Sequence, residues 1–264
     1  MRPMQGAAHL GAGLAMALAV SIALPAAAQQ PARVVAGDSA APHPDFSGLW
    51  VISERSQGRD ADESFAPLAP RSYLTEAGLE ATQNVKPAYD PSAQCLPSLP
   101  RHLGWPYPIE IVQTKDRMVN LFEADTVFRI VYLDGREHPD PDADTRFMGH
   151  AVGTWEGDTL RVESANFNGK AWLDPSGIPQ SEQARLTEWY SLQDDGKTLQ
   201  NIVKYEDPVY LTRPVWRRYL YNMRSDWQIS EYLCQEGNRD NVFAPREGNP
   251  GALQEDDVLA APGD

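Results

Sequence analysis

Hydrophobic and polar residues alternate along most of the chain from Ile109 onwards, and short polar turns interrupt the alternation. A period of two residues is typical of half-buried β-strands. Several turns contain Asp-Gly or Gly-Asp, which supply the positive φ angles of tight hairpins. The pattern predicts about ten short strands, at 45–51, 109–114, 118–123, 127–133, 150–155, 159–164, 185–192, 198–206, 216–222 and 228–234.

Nearly all of these strands are joined locally, which favours antiparallel neighbours because parallel neighbours need long crossovers. A meander of this size must hide its edges, and closing into a barrel does so. We therefore predict an all-β fold, an antiparallel eight-to-ten-stranded barrel of lipocalin-like shape with room for one small ligand. A two-sheet β-sandwich is the alternative. One short helix is predicted at 75–83, with Thr75 as its cap.

The N-terminus has the pattern of a secretory signal. Arg2 is followed by an apolar run from Leu10 to Leu24 and by the small residues Ala26 to Ala28. The run is too short to span a bilayer comfortably, so we expect no membrane span after cleavage and a periplasmic or secreted protein. The prediction divides the chain into a signal peptide, a flexible leader, a single barrel domain and a disordered acidic tail, at 1–28, 29–44, 45–240 and 241–264.

Composition narrows the classes of partner. The 264 residues are 42% hydrophobic and 23% charged, as in an ordinary globular protein. The 37 acidic residues outnumber the 23 Lys and Arg, for a formal net charge of −14. Such a chain repels phosphate backbones and anionic membrane surfaces, so we expect neither nucleic acid nor a membrane as partner. Oligomeric state is left open.

The predicted export indicates the state of the two cysteines, Cys95 and Cys234. A pair of cysteines in an oxidising compartment favours a disulfide. The alternative is a nucleophilic thiol, but neither cysteine lies in a recognisable nucleophile motif. We therefore predict a Cys95–Cys234 bridge between the start of the folded body and the last predicted strand.

Ionisable residues among apolar strand positions are the first candidates for chemistry. His150 opens a strand, and either a satisfied core histidine or a catalyst fits that place. Glu188 shares a strand face with Leu186 and Tyr190, and a buried carboxylate there would suit a general acid or base. The alternative for Glu188 is a surface pair with Lys204 across the hairpin.

A second set of candidates lies in turns and loops. Arg136 and His138 share a face in extended geometry and could bind a carboxylate or phenolate; the alternative is a solvated hairpin tip. The proline-rich loop around His102 contains cationic and aromatic side chains. It could contact an apolar ligand at the mouth of the barrel, or it could be a connection whose Trp simply packs on the core. The predicted substrate-binding residues are His102, Trp105, Tyr107, Trp155, Tyr190 and Tyr205.

Motifs for metals, nucleotides and serine hydrolases are not found. The run from Asp140 to Asp144 begins like a calcium loop, but Thr145 and Ala151 occupy the places of the required glycine and glutamate. No pair of histidines has zinc spacing on one element. We predict no metal and no cofactor.

The block from Gly149 to Leu160, which reads Gly-His-Ala-Val-Gly-Thr-Trp-Glu-Gly-Asp-Thr-Leu, resembles a large group of exported bacterial β-rich proteins that are mostly uncharacterised. Asp134-Gly135-Arg136, Glu188, Asp207-Pro208 and 231–234 extend the resemblance over most of 45–240. The chain departs from the group at Ala151, where a Ser is common. The resemblance implies that the protein is exported and that most of 45–240 forms one β-rich fold, and it implies no particular activity.

Two functions are consistent with these residues. The first is a cofactor-free enzyme of the lyase or isomerase type, acting on a small aromatic or apolar molecule in the barrel cavity with His150, Glu188, Arg136 and His138 as catalytic groups. The alternative is a non-catalytic periplasmic protein that binds such a molecule. Both require these side chains to face one enclosed space.

Overall fold

The fold is a closed β-barrel. The computed structural model describes residues 43–57, 69, 71–83, 85–86, 89–140 and 145–234. Nine strands form the barrel in chain order. They are β1 (Gly48–Gln57), β2 (Ile109–Gln113), β3 (Arg117–Phe122), β4 (Val127–Tyr132), β5 (His150–Glu156), β6 (Thr159–Ala165), β7 (Arg185–Gln193), β8 (Thr198–Glu206) and β9 (Val215–Met223). The predicted all-β barrel is confirmed. The predicted signal peptide, the tail and nearly all of the leader lie outside the described residues.

Two short helices lie among the loops before β2. Helix α1 (Glu76–Ala81) is the predicted one, and the Thr75 hydroxyl accepts a hydrogen bond from the Gly78 N–H as the cap. Helix α2 (Arg101–Gly104) is a single turn within the proline-rich loop. Four residues are too few to show a helical period in the sequence.

The barrel departs from a pure antiparallel meander at one joint. Strands β4 and β5 pair in parallel, with Val131 opposite Ala151 and Tyr132 opposite Val152. The prediction of antiparallel neighbours throughout is wrong here, because the connection 133–149 is long enough to cross the full length of the barrel. All other neighbouring strands are antiparallel, including β1 with β9, which closes the sheet.

The predicted tenth strand, at 228–234, is not a strand. The pairing of β1 with β9 leaves no edge to which it could add. The segment is held instead near the β3–β4 turn, where the Ser230 N–H donates to Glu123 and the Tyr232 N–H donates to the Thr126 hydroxyl.

The strand directions give the barrel two different ends. We call the end with the β2–β3, β5–β6 and β7–β8 turns the hairpin end. The other, the loop end, carries both helices and the connections 123–126, 166–184 and 207–214. The predicted disulfide is confirmed at Cys95–Cys234, with 5.7 Å between the Cα atoms. It joins the loop before α2 to the segment after β9. Among the described residues no helix is long and apolar enough to cross a membrane.

Large side chains fill the barrel. Buried positions recur with a period of two along β3, β4, β7, β8 and β9, as the pleat requires. The largest of the fully buried side chains include Trp50, Tyr190, Tyr205, Tyr221 and Phe46. Aromatic rings of this size leave little of the interior space that the sequence analysis expected for a ligand.

Candidate functional site

A charged pair lies at the centre of the barrel. Arg129 on β4 and Glu188 on β7 are 2% and 0% exposed, and their side chains form a bidentate ion pair with Nη1–Oε2 at 2.6 Å and Nη2–Oε1 at 3.2 Å. Glu188 is therefore inward and buried, as one reading of the sequence held. The alternative pair with Lys204 is not formed, because Lys204 faces outward and bonds Glu206 at 2.7 Å.

Further polar side chains complete a network around this pair. The Tyr190 hydroxyl donates to Glu188 Oε1 at 2.5 Å, and Asn201 Nδ2 donates to the same oxygen at 3.1 Å. Burial opposes the charge of Arg129, but Glu188 and Tyr190 outweigh it and raise the pKa of the guanidinium. Burial, reinforced by Glu188, raises the pKa of Tyr190 well above its ordinary value. Tyr190 is therefore a neutral donor at physiological pH.

Some polar atoms of this interior are unsatisfied. Asn120 Oδ1, Asn201 Oδ1 and Arg129 Nε have no hydrogen-bond partner among the described residues. Nearby, a cavity of about 10 Å³ is lined by Trp50, Leu103, Ile109, Ile111, Asn120, Tyr190, Leu199 and Tyr221. A space of this size holds about one water molecule. This space is far smaller than the ligand cavity that the sequence predicted.

His138 and His150 lie on the outer surface of the barrel sheet, opposite the face that carries the ion pair. Ala151 and Gly153 pair with Ser164 and Val162 and face inward with them, so His150 faces outward. Its ring stacks on Tyr132 at 5.2 Å between centroids, and its Nδ1 lies 3.0 Å from Nδ1 of His138. The 133–149 connection covers His150, which explains its 8% exposure.

This histidine pair shares one proton in its neutral form, because one Nδ1 must donate and the other accept. Burial lowers the pKa of His138; Glu163 opposes this effect and Arg185 adds to it. His138 is therefore uncharged near neutral pH. On the far face of Tyr132, Arg136 stacks at 3.7 Å and also bonds Asp134.

A groove opens at the loop end beside Arg185, which we call the end groove. Its volume is about 760 Å³ and it is lined by Thr145, Asn166, Glu182, Gln183, Arg185, Glu206, Asp207, Pro208, Leu211, Thr212, Arg213 and Pro214. Small-molecule sites have volumes of about 300–1,000 Å³. Asn166, which lines this groove, donates hydrogen bonds to the Pro139 and Asp140 carbonyls, so the segment that directly follows His138 lies beside the groove.

Two guanidinium groups, those of Arg185 and Arg213, line the end groove together with the carboxyl groups of Glu182, Glu206 and Asp207. Among the described residues neither Arg185 nor Arg213 forms an ion pair with a carboxylate. Arg185 donates to the Ala184 carbonyl, and Arg213 stacks over the Tyr73 ring at 3.6 Å. Both retain N–H donors for a ligand.

The acidic residues of the groove are partly neutralised. Asp207 is buried and accepts hydrogen bonds from the N–H and the hydroxyl of Ser181, both at 2.7 Å. Glu206 is paired with Lys204. Glu182 is exposed to solvent.

The structure thus divides the four predicted catalytic residues between two places. Arg136, His138 and His150 meet around Tyr132 on the outside, whereas Glu188 lies inside the barrel with Arg129. The expectation that they share one enclosed space is wrong. Neighbouring residues of a strand point to opposite faces of the sheet, and His150 lies on the outer face of β5 while Ala151 lies on the inner one. Their catalytic roles stay predictions.

The predicted substrate-binding residues are scattered. His102 is buried at the loop end between the Ser98 carbonyl and Asp125, Trp105 stacks on it at 4.4 Å, and Tyr107 packs against Tyr232.

The other three lie elsewhere. Trp155 lies at the hairpin end against His43 and Phe46, and Tyr190 and Tyr205 are in the interior. No single pocket of the described chain contains all six.

Five residues were not identified from the sequence. They are Arg129, Asn120 and Asn201 in the barrel interior and Arg185 and Arg213 in the end groove. A signal for the interior set was present: each is a polar residue at an inward position of an alternating strand. No comparable signal marks the two arginines of the groove, because their proximity depends on how the 207–214 connection folds against the start of β7.

Metal and cofactor binding gain no support from the geometry. No three His, Cys, Asp or Glu side chains of the described ranges are grouped so as to hold a metal ion. The sequence prediction of neither metal nor cofactor stays a prediction.

Comparisons with known proteins add little. No family model matches the chain. No curated protein matches it either. Among solved structures, one described as "REP1-NXSQ fatty acid transporter" is similar over 69% of this chain and 97% of its own, with 12% identity and a TM-score of 0.36. A TM-score this low supports no inference about the function of this chain.

Proposed function

We propose that this protein binds a small organic anion with an apolar body, such as an aromatic carboxylate, in the end groove. The observation that carries the proposal is the pair Arg185 and Arg213, two guanidinium groups that have no carboxylate partner among the described residues and line one ligand-sized groove. Guanidinium groups recognise carboxylates in a bidentate manner. Of the three carboxyl groups that line the groove, Glu206 is paired with Lys204 and Asp207 accepts hydrogen bonds from Ser181, so neither of these two takes up the guanidinium donors.

The apolar part of the ligand has a surface to contact. Leu211, Pro208 and Pro214 line the same groove, and Leu211 is only 4% exposed. Apolar walls with a few placed polar groups are typical of small-molecule sites. The predicted periplasmic or secreted location belongs to this proposal, and the disulfide supports it because disulfides persist in oxidising compartments.

Titration with 1-naphthoate and its neutral amide, followed by fluorescence or calorimetry, tests the binding proposal. We expect the naphthoate to bind more tightly than the amide. Arg185→Gln and Arg213→Gln should each weaken naphthoate binding about tenfold, the loss of one charge-assisted contact. Arg224→Gln is the matched control, since that arginine pairs with Asp226 and lies away from the groove. If both groove variants bind naphthoate as the unmodified protein does, the proposal is wrong.

Acid–base catalysis on the bound molecule is the second candidate, and the contact between His138 and His150 favours it. A neutral pair can take one proton from a carbon of the ligand and return it to another position of the same molecule, as an isomerase does, or deliver it to the departing group when a bond to that group breaks, as a lyase does. Glu188 has no direct part in this version, because it is buried on the other side of the sheet. His138→Gln should then abolish turnover of a ligand whose binding it leaves intact. Unchanged turnover by folded His138→Gln would exclude the catalytic version and leave the binding proposal standing.

A further inference from the structure

The segment before β1 closes the hairpin end of the barrel, and we call residues 43–47 the leading segment. Phe46 in this segment is completely buried. Its ring lies 5.5 Å from the Trp155 ring and 6.2 Å from the Tyr190 ring, between centroids. Phe46 therefore occupies interior space although it belongs to no strand.

The leading segment is attached by side-chain hydrogen bonds rather than by a strand ladder. The Phe46 N–H donates to Gln113 Oε1 at 3.1 Å, and Gln113 Nε2 donates to the Pro44 carbonyl at 2.9 Å. Trp50 Nε1 donates to the Phe46 carbonyl at 2.8 Å. Such a connection is weaker than paired strands, since local openings cost least where backbone ladder bonds are few.

The 10 Å³ cavity of the interior shares two walls, Trp50 and Tyr190, with the surroundings of the Phe46 ring. Asn120 also lines this cavity; it is 1% exposed, and its Oδ1 has no partner among the described residues. Buried acceptors are nearly always satisfied in folded proteins. The place is thus a small space with aromatic walls and one unused hydrogen-bond acceptor.

We propose that the interior beneath Phe46 is a second binding site, for a small neutral aromatic molecule with one hydrogen-bond donor, such as a phenol. In the unliganded protein the Phe46 ring holds the place of the ligand's ring. The ligand's hydroxyl donates to Asn120 Oδ1, which accepts and cannot donate. An anion is excluded because Glu188 already neutralises Arg129. This site is separate from the end groove, which lies at the opposite end of the barrel.

The first test removes the Phe46 ring from the proposed site. In full-length mature protein carrying Phe46→Ala, calorimetry with phenol and with toluene measures the affinity for the ring and for the hydroxyl. We expect phenol to bind at least tenfold more tightly than to the unmodified protein, because the ring space is vacant. Phenol should also bind about tenfold more tightly than toluene, the value of one neutral hydrogen bond. Phe128→Ala is the control, since Phe128 is 62% exposed on the outer surface.

The second test removes the acceptor. Asn120→Leu in the Phe46→Ala background should lower the affinity for phenol to that for toluene and leave toluene unchanged. If phenol and toluene bind equally before this change, or if neither binds to folded Phe46→Ala protein, the proposed site does not exist.

The third test keeps Phe46 and loosens its attachment. Gln113→Ala removes the two side-chain hydrogen bonds of Gln113 to the leading segment and keeps the one from its backbone N–H to the Ser47 hydroxyl. We expect phenol affinity to rise severalfold, and the NMR signal of the Trp50 indole N–H to shift on binding, because that group bonds the Phe46 carbonyl. If Gln113→Ala changes neither quantity, Phe46 is a fixed part of the core and the proposal is overturned.

Discussion

Replacing Glu188 with Gln tests the central feature of the barrel, the buried ion pair with Arg129. The substitution keeps the size of the side chain and removes its charge. Arg129 then stays in the interior with a positive charge that no carboxylate neutralises. Of its two bonds to Glu188 at 2.6 and 3.2 Å only one can remain, because the amide nitrogen of Gln donates and cannot accept. The remaining partner, Tyr190 at 3.3 Å, is uncharged.

The expected loss is large because both groups are almost fully buried, at 2% and 0% exposure. Removing one partner of a buried ion pair costs about 3–5 kcal/mol of unfolding free energy. For a domain of this size each kcal/mol corresponds to about 2–4 °C in the melting temperature. We therefore expect the melting temperature to fall by about 6–20 °C.

Urea denaturation followed by circular dichroism measures this loss, and two further variants define its origin. Lys204→Gln on the outer face of β8 removes one partner of a pair that is 28% and 38% exposed, and should cost less than about 1 kcal/mol. Arg129→Met combined with Glu188→Gln removes both charges and should recover most of the stability. If Glu188→Gln is no more destabilising than Lys204→Gln, the pair is not a buried charge network and the reasoning fails.

Three further predictions follow from other parts of the molecule. Replacing Cys95 and Cys234 with Ala opens a loop spanning 139 positions and should lower the unfolding free energy by about 3–5 kcal/mol, measured by denaturant titration; a loss below about 1 kcal/mol would contradict the chain-entropy account. The pKa of His138 is lowered in the folded state, so just below the ordinary histidine pKa the unfolded chain binds more protons than the folded one. The unfolding free energy should therefore fall as the pH drops below about 6.5, and His138→Gln should reduce this fall in thermal melts across that range. An identical pH profile for the variant would argue against this account. Gly153→Ala places a Cβ 2.5 Å from the Leu133 side chain and should cost about 1–3 kcal/mol by overpacking; an unchanged melting temperature would show that Leu133 has room to move.

The nine strands were predictable because local pattern and turn chemistry agree at each of them. Strand β8 has the predicted bounds, and β2 to β7 and β9 differ from theirs by at most one residue at either end. The prediction for the first strand, 45–51, is wrong at both ends, since β1 runs from Gly48 to Gln57. The inward positions of Leu186, Glu188 and Tyr190 also follow from the alternation. The failures occur where distant parts of the chain decide, as at the parallel β4–β5 joint and at 228–234.

The sequence by itself determined the class of fold, the disulfide and which residues share a strand face, since these depend on local spacing or on the one pair that two cysteines can form. Only the tertiary structure decided which face points inward at His150, that Arg129 neutralises Glu188, and that Arg185 and Arg213 line one groove. Such facts depend on strand register and on loops that meet across the barrel. The physical reason is that a shift of one residue in register reverses every side chain of a strand, and no local pattern records the partner that fixes that register.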